Sequence, residues 1–450
     1  MNLANKKVAT LTLGCKVNQY ETDAMRELLE QEGCELVDFG SQADIYIVNT
    51  CSVTNMAERK SRQMLHKAKK MSPDSIVVAV GCYVQTVPQE VMDDLAVDIV
   101  VGNNCKKNIV PILHAYDSGV DARIRDEAGG TYTNSKLDNA SWIPIDRTDE
   151  YEALRVSHMQ EHTRAYIKIQ DGCNQFCSYC IIPYVRGRIR SRDIESVLSE
   201  IKVLAAKGCK EVVLTGIHLS SYGKDWNQEY SKSSELRGDE LLTLMKQIDE
   251  IDGIERIRLG SLEPRIISED FVAGLQEVSK LCPHFHLSLQ SACNETLRRM
   301  NRKYTIEEYM EGCMRLREVF DRPAITTDVI VGFPGETEEE FQTTLKNLEV
   351  LNLYEIHVFK YSKRRGTVAE GMPGQVSEQD KNQRSDRLLA LTSEQKKAYE
   401  HSFDGEDVTV LVEESVAEGV YTGHTERYIQ VEVPSEQDIV NQMMTVKYRA

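Results

Sequence analysis

Cys173, Cys177 and Cys180 are arranged in the spacing C-x3-C-x2-C, and the next cysteine along the chain is Cys209. Three thiolates spaced in this way hold three corners of a cubic 4Fe–4S cluster, because soft sulfur ligands suit iron–sulfur chemistry. The fourth iron then keeps an open position at which a small molecule can bind and react. A zinc site is the alternative, but structural zinc sites use paired C-x2-C units and need a fourth ligand. The spacing therefore favours a reactive 4Fe–4S cluster over zinc.

Strands and helices alternate in the N-terminal part of the chain. The predicted strands cover residues 8–13, 45–48, 76–80 and 99–102, and the predicted helices cover residues 18–32, 57–70 and 89–95. Their apolar positions follow the patterns of buried strands and amphipathic helices. This order predicts a parallel sheet covered by helices.

Cys15, Cys51 and Cys82 each come shortly after one of these predicted strands. Open α/β sheets bind ligands beyond the carboxyl ends of their strands, so thiols from three βα turns are expected to converge. Three unrelated core thiols are the alternative, since cysteine is often buried. The equivalence of the three positions favours a second three-cysteine cluster.

A second alternation of strands and helices occupies the centre of the chain. Its strands are predicted at residues 165–170, 211–216, 256–261, 284–290, 324–332 and 355–361. Six βα units predict a partial (β/α)6 barrel, in which chemistry takes place at the carboxyl ends of the strands. The C-x3-C-x2-C stretch follows the first of these strands, where such a barrel would place a reactive site.

Short strands predicted at residues 408–412, 419–423, 428–432 and 443–447 indicate a small antiparallel barrel at the end of the chain. The fold class is therefore α/β, with domains expected at residues 5–116, 159–382 and 385–450. The polar residues 117–158 are expected to form a linker. A length of 450 residues agrees with several domains, because it exceeds what one hydrophobic core supports.

The net charge of −17 argues on its own against a nucleic-acid partner, because phosphate binding needs a basic surface. Basic residues nevertheless form four groups, each of which would most often be a solvated face. They lie at residues 58–70, at Arg186, Arg188, Arg190 and Arg192, at residues 298–303 and at residues 363–365. The N-terminus lacks a signal-peptide layout and no apolar run reaches membrane-spanning length, so a cytoplasmic location is predicted.

Motifs around both sets of cysteines resemble those of the radical S-adenosylmethionine (SAM) methylthiotransferases. These motifs lie at residues 12–18, 49–53, 81–83 and 172–180. The C-terminal barrel resembles the RNA-binding TRAM module of these enzymes, and the similarity covers nearly the whole chain apart from the linker. Within the family, residues 50–55, 214–223 and 327–336 most resemble the threonylcarbamoyladenosine tRNA methylthiotransferases.

This resemblance implies that a methylthio group is inserted at ring carbon 2 of N6-threonylcarbamoyladenosine, at position 37 in the anticodon stem-loop of tRNA. It also implies a reducing partner such as flavodoxin or ferredoxin. The branches that modify isopentenyladenosine in tRNA or an aspartate of a ribosomal protein are alternatives with the same chemistry. An iron–sulfur electron-transfer protein and a non-catalytic RNA-binding protein are alternatives from different classes.

The resemblance also implies a role for each set of cysteines. The C-x3-C-x2-C cysteines would hold the 4Fe–4S cluster that cleaves SAM. Cys15, Cys51 and Cys82 would hold an auxiliary 4Fe–4S cluster whose open iron carries the sulfur to be transferred. One SAM would methylate that sulfur and a second would supply the radical, since an aromatic C–H bond is too inert for side-chain acid–base catalysis. No side chain is therefore assigned as a catalytic acid or base.

Polar residues at the carboxyl ends of the central strands are the candidates for SAM contacts. Tyr179 lies inside the cluster loop, and Gly216 ends the second strand, where the family contacts the methionine amino group. Glu263 follows the third strand, while Ser288 and Gln290 end the fourth, where ribose contacts are common. For each residue, a local turn or strand-end cap is the alternative.

Two features fit the resemblance poorly. Residues 404–450 carry ten acidic residues and three Lys/Arg, the reverse of an RNA-binding surface. Either this module makes few phosphate contacts, or the arginine groups near the barrel mouth carry most of the tRNA binding. Ala292 also stands where the family usually has glycine, a change that is expected to be tolerated. Four histidines on or near the barrel strands are assigned no ligand role: His218, His284, His286 and His357.

Overall fold

A computed structural model describes residues 1–117, 140–145, 148, 150–158 and 163–450, and most of the predicted linker lies outside these residues. The chain divides into two units. The first unit contains Met1–Ser157, Asp171–Asn174 and Cys180–Arg192. The second unit contains His158–Gln170, Gln175–Tyr179 and Asp193–Ala450. Every helix among the described residues is too short or too polar to span a membrane.

The parallel sheet predicted for the N-terminal part of the chain forms the centre of the first unit. Its strands are β1 (Lys7–Thr12), β2 (Glu35–Val37), β3 (Ile45–Thr50), β4 (Ile76–Gly81), β5 (Ile99–Val101) and β6 (Ala140–Ser141). The spatial order is β2-β1-β3-β4-β5-β6, and every neighbouring pair is parallel. All residues of β3 are buried, as expected of a strand covered on both faces.

Five helices of the first unit follow these strands. They are α1 (Lys16–Gln31), α2 (Asn55–Met71), α3 (Cys82–Thr86), α4 (Pro88–Met92) and α5 (Ile109–Asp117). The Thr54 side chain caps α2 by accepting a hydrogen bond from the Ala57 N–H. The single helix predicted at residues 89–95 is wrong in its bounds, because Pro88 has no N–H to continue α3 and instead begins α4. The unit also contains a one-turn helix at Ile182–Val185 and a short strand at Arg190–Ser191.

The predicted partial (β/α)6 barrel is confirmed in the second unit. Its strands are β7 (Arg164–Asp171), β8 (Glu211–Gly216), β9 (Arg256–Leu259), β10 (His284–His286), β11 (Ala324–Val331) and β12 (Glu355–Lys360). The pairs β7–β8, β8–β9, β10–β11 and β11–β12 are parallel. Parallel bridges between Ile257 and Leu281 and between Leu262 and Leu287 continue this order from β9 to β10.

Helices cover one face of these strands and enclose the largest apolar core with them. The helices are α6 (Ile194–Ala206), α7 (Gln228–Lys232), α8 (Asp239–Asp249), α9 (Glu269–Gln276), α10 (Asn294–Arg299), α11 (Ile306–Val319), α12 (Glu338–Leu351) and α13 (Glu378–His401). Thr305 and Thr337 are the N-caps of α11 and α12. In each case the threonine side chain accepts a hydrogen bond from the backbone of a glutamate three residues later, and that glutamate accepts one from the threonine N–H. This capping-box pattern marks a helix start in the sequence.

The C-terminal antiparallel sheet also belongs to the second unit. It contains β13 (Asp407–Ala417), β14 (Val420–Thr425), β15 (Gln430–Pro434) and β16 (Met443–Lys447), in the order β15-β14-β13-β16. Arg164, at the start of β7, donates from Nη2 to both carboxylate oxygens of Glu413 at 2.8 Å. Arg256, at the start of β9, donates to the carbonyl oxygens of Thr409 and His424. The sheet therefore packs against the amino ends of the barrel strands.

Candidate active site

Three cysteines lie at the carboxyl ends of neighbouring strands in the first unit. Cys15 follows β1 and precedes α1, Cys51 follows β3, and Cys82 begins α3 directly after β4. Since β3 lies between β1 and β4, the three thiols come from adjacent βα turns of one sheet. Burial raises the pKa values of the Cys15 and Cys51 thiols, and each lies near enough to Cys82 for that thiol to add to the rise. The structure therefore brings these three predicted ligands together.

Gly14 allows the turn before Cys15 to approach Cys51. Its φ angle is 104°, and a Cβ at this position would lie 2.8 Å from the Cys51 Sγ. Only glycine adopts such a φ angle at little steric cost and leaves room for the neighbouring sulfur. Gly14 is thus a local reason why two cysteines can share one site.

The thiol environment suits a soft metal. Burial raises the pKa of Cys51 to about 11, and the thiols of Cys82 and Cys15 raise it as well. Cys15 as a whole residue is exposed, but protein surrounds its thiol, and this desolvation raises the pKa of the thiol. The nearby positive charge of Arg186 opposes the rise. Metal ligation requires thiolates, so loading this site would release protons. Three converging sulfur donors fit a 4Fe–4S cluster.

Arg186, which is fully buried, lies against these cysteines. Its Nε donates to the Cys82 Sγ at 3.4 Å, and its two Nη atoms donate to the Glu21 carboxylate at 2.6 and 3.1 Å. Arg186 Nη1 also lies 3.2 Å from the Asp171 carboxylate, and buried Lys106 lies 2.9 Å from Glu21. Hydrogen bonds to ligand sulfurs influence the potential of an iron–sulfur cluster. Arg186 therefore positions Cys82 and supplies positive charge beside it.

Two asparagines complete the surroundings of the three cysteines. Asn18 Nδ2 donates to the carbonyl oxygens of Leu13 and Thr50, which precede the turns that carry Cys15 and Cys51. Asn103 Nδ2 lies 3.7 Å from the Cys82 Sγ as a second N–H donor. The contacts of Asn18 with Thr50 and of Asn103 with Cys82 join residues 32 and 21 positions apart, so the motif spacing alone does not predict them.

The alternating arginines that follow the cluster loop do not form a surface patch. Arg186, Arg190 and Arg192 are 0%, 1% and 3% exposed, and of the four arginines only Arg188 is exposed. Arg190 Nη2 lies 3.7 Å from the Asp171 carboxylate. Buried carboxylates require positive partners, and this requirement turns the arginines inward. Three of these four arginines are therefore unavailable to tRNA phosphates, and tRNA binding by the arginine groups near the barrel mouth stays a prediction for Arg188 and for the groups at residues 298–303 and 363–365.

The C-x3-C-x2-C loop begins at a glycine with no room for a side chain. Gly172 has a φ angle of 71°, and a Cβ there would overlap the carbonyl oxygen of Arg188. The Cys173 N–H then donates to the Gly187 carbonyl oxygen at 3.0 Å. Cys173 and Cys180 belong to the first unit, and Cys177 belongs to the second.

Arg302 lies beside Cys177 in the second unit. Its Nη1 donates to the Cys177 Sγ at 3.2 Å, while Nη2 donates to the Ser288 carbonyl oxygen at 2.9 Å. Its Nε donates to the Tyr304 hydroxyl at 2.8 Å, and that hydroxyl donates to the same Ser288 carbonyl at 2.6 Å. The guanidinium is thus held in place with one N–H directed at a predicted ligand sulfur, and such hydrogen bonds influence the potential of an iron–sulfur cluster.

Three of the predicted SAM-contacting residues contribute their backbone to this part of the second unit. Gly216 ends β8, and a Cβ there would lie 2.9 Å from the Gln170 Oε1. Gln290 has a φ angle of 73°, and its N–H donates to the Asp328 carbonyl oxygen at 2.8 Å. Ser288 presents its carbonyl oxygen to Arg302, as described above. These three residues lie at the carboxyl ends of the barrel strands or just beyond them.

The other two predicted residues contribute side chains to the same unit. Glu263 is buried, and its carboxylate accepts hydrogen bonds from Arg265 Nε at 2.8 and 3.2 Å. The Tyr179 ring packs edge-on against Phe333, with 6.3 Å between the ring centroids. Charged, polar and aromatic groups thus occur together at the carboxyl ends of the strands, as a polar cofactor requires.

His218 was assigned no role from sequence, yet it has an unusual environment. Its Nδ1 lies 2.6 Å from the Ser221 Oγ, while its buried Nε2 has no hydrogen-bond partner among the described residues. Burial lowers the His218 pKa to about 4, so the ring is neutral at physiological pH. A buried, unpaired ring nitrogen close to the charges of Glu263 and Arg302 is suited to contact a bound small molecule.

Comparisons with known proteins agree with this arrangement. A family model described as "Radical SAM superfamily" matches residues 167–348, and one described as "Uncharacterized protein family UPF0004" matches residues 7–102. A radical SAM methyltransferase, TsrM from Kitasatospora setae, has a similar fold, with a TM-score of 0.58 and 18% sequence identity. That similarity covers 81% of this chain and 77% of the solved chain.

Curated relatives match over most of their own length. The threonylcarbamoyladenosine tRNA methylthiotransferase MtaB of Bacillus subtilis is 39% identical, covering 98% of this chain and 93% of the relative. The MtaB of Aquifex aeolicus is 38% identical, covering 90% and 92%. The tRNA-2-methylthio-N(6)-dimethylallyladenosine synthase of Clostridium novyi is 34% identical, covering 92% and 86%. The chain therefore belongs to the radical SAM methylthiotransferase family.

Proposed function

We propose that this protein is a tRNA methylthiotransferase that converts N6-threonylcarbamoyladenosine at tRNA position 37 into its 2-methylthio derivative. The observation that carries this proposal is the identity of 36–39% to three relatives named for this activity. The relative from Clostridium novyi, which is named for the dimethylallyladenosine product, is 34% identical. The higher identity to the other three relatives favours the threonylcarbamoyl branch. The chain has two sets of three cysteines, and in each set an arginine N–H donates to one sulfur. This arrangement agrees with an enzyme of this class.

The cysteines have separate roles in this proposal. Cys173, Cys177 and Cys180 hold the 4Fe–4S cluster that binds SAM, and the three N-terminal cysteines hold the auxiliary 4Fe–4S cluster. When bound, these groups supply the one-electron chemistry that an inert aromatic C–H bond requires. Arg302 donates a hydrogen bond to the Cys177 sulfur, and Arg186 donates one to the Cys82 sulfur.

The SAM pocket is proposed to lie at the carboxyl ends of the barrel strands in the second unit. Tyr179, Gly216, Glu263, Ser288 and Gln290 are its predicted lining. The unpaired Nε2 of His218 adds a donor or acceptor that the sequence did not suggest. These groups orient the cofactor and exclude water, while no acid or base step is assigned to them.

Further parts of the proposal concern the setting of the enzyme. A small flavodoxin or ferredoxin would supply electrons, and the tRNA contact would be made at the anticodon stem-loop. A cytoplasmic location follows from a tRNA substrate. Residues 5–116, 159–382 and 385–450 remain our predicted domains.

Nucleoside mass spectrometry of bulk tRNA tests the proposed function. Cells that lack the gene should lose 2-methylthio-N6-threonylcarbamoyladenosine and accumulate its unthiolated precursor. Complementation with Cys51→Ala should not restore the product, because Cys51 is a proposed ligand of the auxiliary cluster, whereas Cys34→Ala should restore it. Loss of the methylthio derivative of isopentenyladenosine instead would assign the protein to the other tRNA branch. Unchanged tRNA would refute a tRNA substrate.

The α2 helix offers an exposed basic surface in place of the buried arginines. Arg59, Lys60, Lys67 and Lys70 are exposed on this helix, which begins shortly after Cys51. Charge reversal in the double variant Lys60→Glu/Lys67→Glu should weaken tRNA binding. The negative slope of the logarithm of the tRNA association constant against the logarithm of the salt concentration should become less steep by about 1 for each lost phosphate contact. Filter binding at several salt concentrations measures both effects. Lys346→Glu, at an exposed position on α12, is the control, and an equal loss in that variant would contradict this assignment.

A further inference from the structure

Three side chains on adjacent strands of the second unit form a cluster that none of the proposed roles uses. They are His286 on β10, Asp328 on β11 and His357 on β12. One ligand atom of each residue lies within 4.8 Å of the ligand atoms of the other two. We infer that His286, Asp328 and His357 form a binding site for a divalent transition-metal ion of the zinc type, separate from both cysteine sets.

The strand register explains why these side chains meet. Parallel pairing places His286 opposite Thr326 and Asp328 opposite His357. Successive residues of a strand point to opposite faces of the sheet, so all three ligands lie on one face. The alternate residues Phe285, Val329 and Ile356 belong to the apolar core on the other face. The cluster is therefore held by a rigid sheet rather than by a loop.

The spacing within the cluster is that of two ligands around a shared ion. The His286 Nε2 lies 3.4 Å from the Asp328 Oδ2. Ligands about 2.0–2.1 Å from a tetrahedral zinc ion are separated from each other by about 3.3 Å. A direct charge-assisted hydrogen bond would be about 2.7–2.9 Å long, as is the 2.7 Å contact between His424 Nδ1 and Glu413 Oε1 in the same unit.

The remaining contacts leave the ligand atoms available. His286 Nδ1 lies 3.0 Å from the Thr326 Oγ1, and a hydroxyl that accepts from Nδ1–H leaves the lone pair of Nε2 free for a metal. Within the described part of the chain, the Asp328 carboxylate contacts the His286 Nε2 and the exposed His357 ring contacts the His286 ring, but neither makes a hydrogen bond. The two rings lie nearly parallel, at 21°, with 5.6 Å between their centroids.

The donor set defines the kind of ion. Two imidazoles and one carboxylate suit zinc and its first-row neighbours, whereas magnesium and calcium prefer sites made of oxygen ligands. Three protein ligands leave a fourth position for water or another oxygen donor, as in catalytic rather than structural zinc sites. The inference does not depend on the tRNA activity proposed above, because it concerns metal binding alone.

Zinc binding to the full-length protein with both clusters assembled tests this site. Equilibrium dialysis against Zn²⁺ with elemental analysis should show one zinc ion that Asp328→Asn and His357→Ala lose, with affinity reduced more than about 100-fold. Thr326→Val should weaken binding about 10–100-fold, because it removes only the hydrogen bond to His286. His401→Ala, which removes an exposed imidazole on α13, should bind zinc as the wild type does.

X-ray absorption at the zinc edge separates this site from adventitious binding to cysteine. Ligation by nitrogen and oxygen at about 2.0–2.1 Å is expected, whereas zinc–sulfur distances of about 2.3 Å would overturn the inference. Equal zinc binding by the wild type and by both ligand variants would also overturn it. Unchanged iron content and unfolding temperature in the variants would show that any loss is local. The exposure of His357 makes that variant the least disruptive to the fold.

Discussion

Replacing Cys177 by alanine should abolish the formation of 5′-deoxyadenosine from SAM. This thiol is one of three proposed ligands of the SAM-binding cluster, and a 4Fe–4S cluster with an open iron cannot spare another ligand. Iron content should fall by about four atoms per chain, since the auxiliary cluster has its own cysteines. Liquid chromatography of reactions with a strong reductant measures the product, and iron analysis measures the cluster.

Cys209→Ala is the matched control for this experiment. Cys209 is a buried thiol of the same unit whose sulfur donates to the Glu211 carbonyl oxygen, so its replacement leaves the proposed ligands intact. Undiminished 5′-deoxyadenosine in the Cys177 variant would refute the assignment of the C-x3-C-x2-C stretch. Loss of all iron from that variant would show that the two clusters do not assemble independently.

Replacing Arg186 by methionine should destabilise the first unit by about 3–5 kcal/mol, the usual effect of removing one partner from a buried ion pair. Glu21 and Asp171 would remain buried without the guanidinium that they share. Cys82 would also lose its nearest N–H donor, so assembly of the auxiliary cluster should suffer. Arg186→Lys should cause an intermediate loss of stability. A lysine ammonium keeps the positive charge but cannot reproduce the several N–H donors of the planar guanidinium.

Urea unfolding of the metal-free chain measures the effect on stability. Only two tryptophans are present, and a Trp226→Phe background leaves Trp142 as the fluorescent reporter of the first unit. Arg188→Met is the control, since Arg188 is exposed and surface changes usually stay within about 0.5 kcal/mol. Equal unfolding midpoints for the two variants would contradict the structural role given to Arg186.

Local sequence patterns are sufficient to predict the strands, the helices and their order along the chain. Buried apolar runs such as Ile45–Thr50 and the capping threonines of α11 and α12 are visible in short windows. The position of a cysteine after each of three strands predicted their convergence, because parallel strands end at one edge of a sheet. These inferences need no knowledge of which distant residues touch.

Contacts between distant residues were not predictable in the same way. Arg186 and Glu21 lie 165 positions apart, and nothing near either residue indicates that both are buried. Groups of arginine are most often solvated faces, and the sequence gives no sign that three members of this group are buried instead. The cluster of His286, Asp328 and His357 was missed for a related reason, since it depends on the register of three strands.

The acidic C-terminal sheet is bound through the arginines at the amino ends of the barrel strands. Glu413 pairs with Arg164, and Glu426 lies 3.7 Å from Arg256. Part of the negative charge that is unsuited to RNA binding is therefore neutralised within the second unit. This pairing explains two of the acidic residues.

Truncation experiments must take this docking into account. Arg164, Arg256 and Arg258 all lie within 3.8 Å of one buried carboxylate, Glu211. A chain that ended before β13 would leave three guanidinium groups around that single carboxylate. Arg164 would lose the Glu413 carboxylate, and Arg256 and Arg258 would lose the backbone carbonyls of the sheet that accept their N–H groups. Such a fragment would lose activity through misfolding of the barrel, so deletion cannot measure what the C-terminal module contributes to RNA recognition. Point substitutions on the outer surface of the sheet are the appropriate probe.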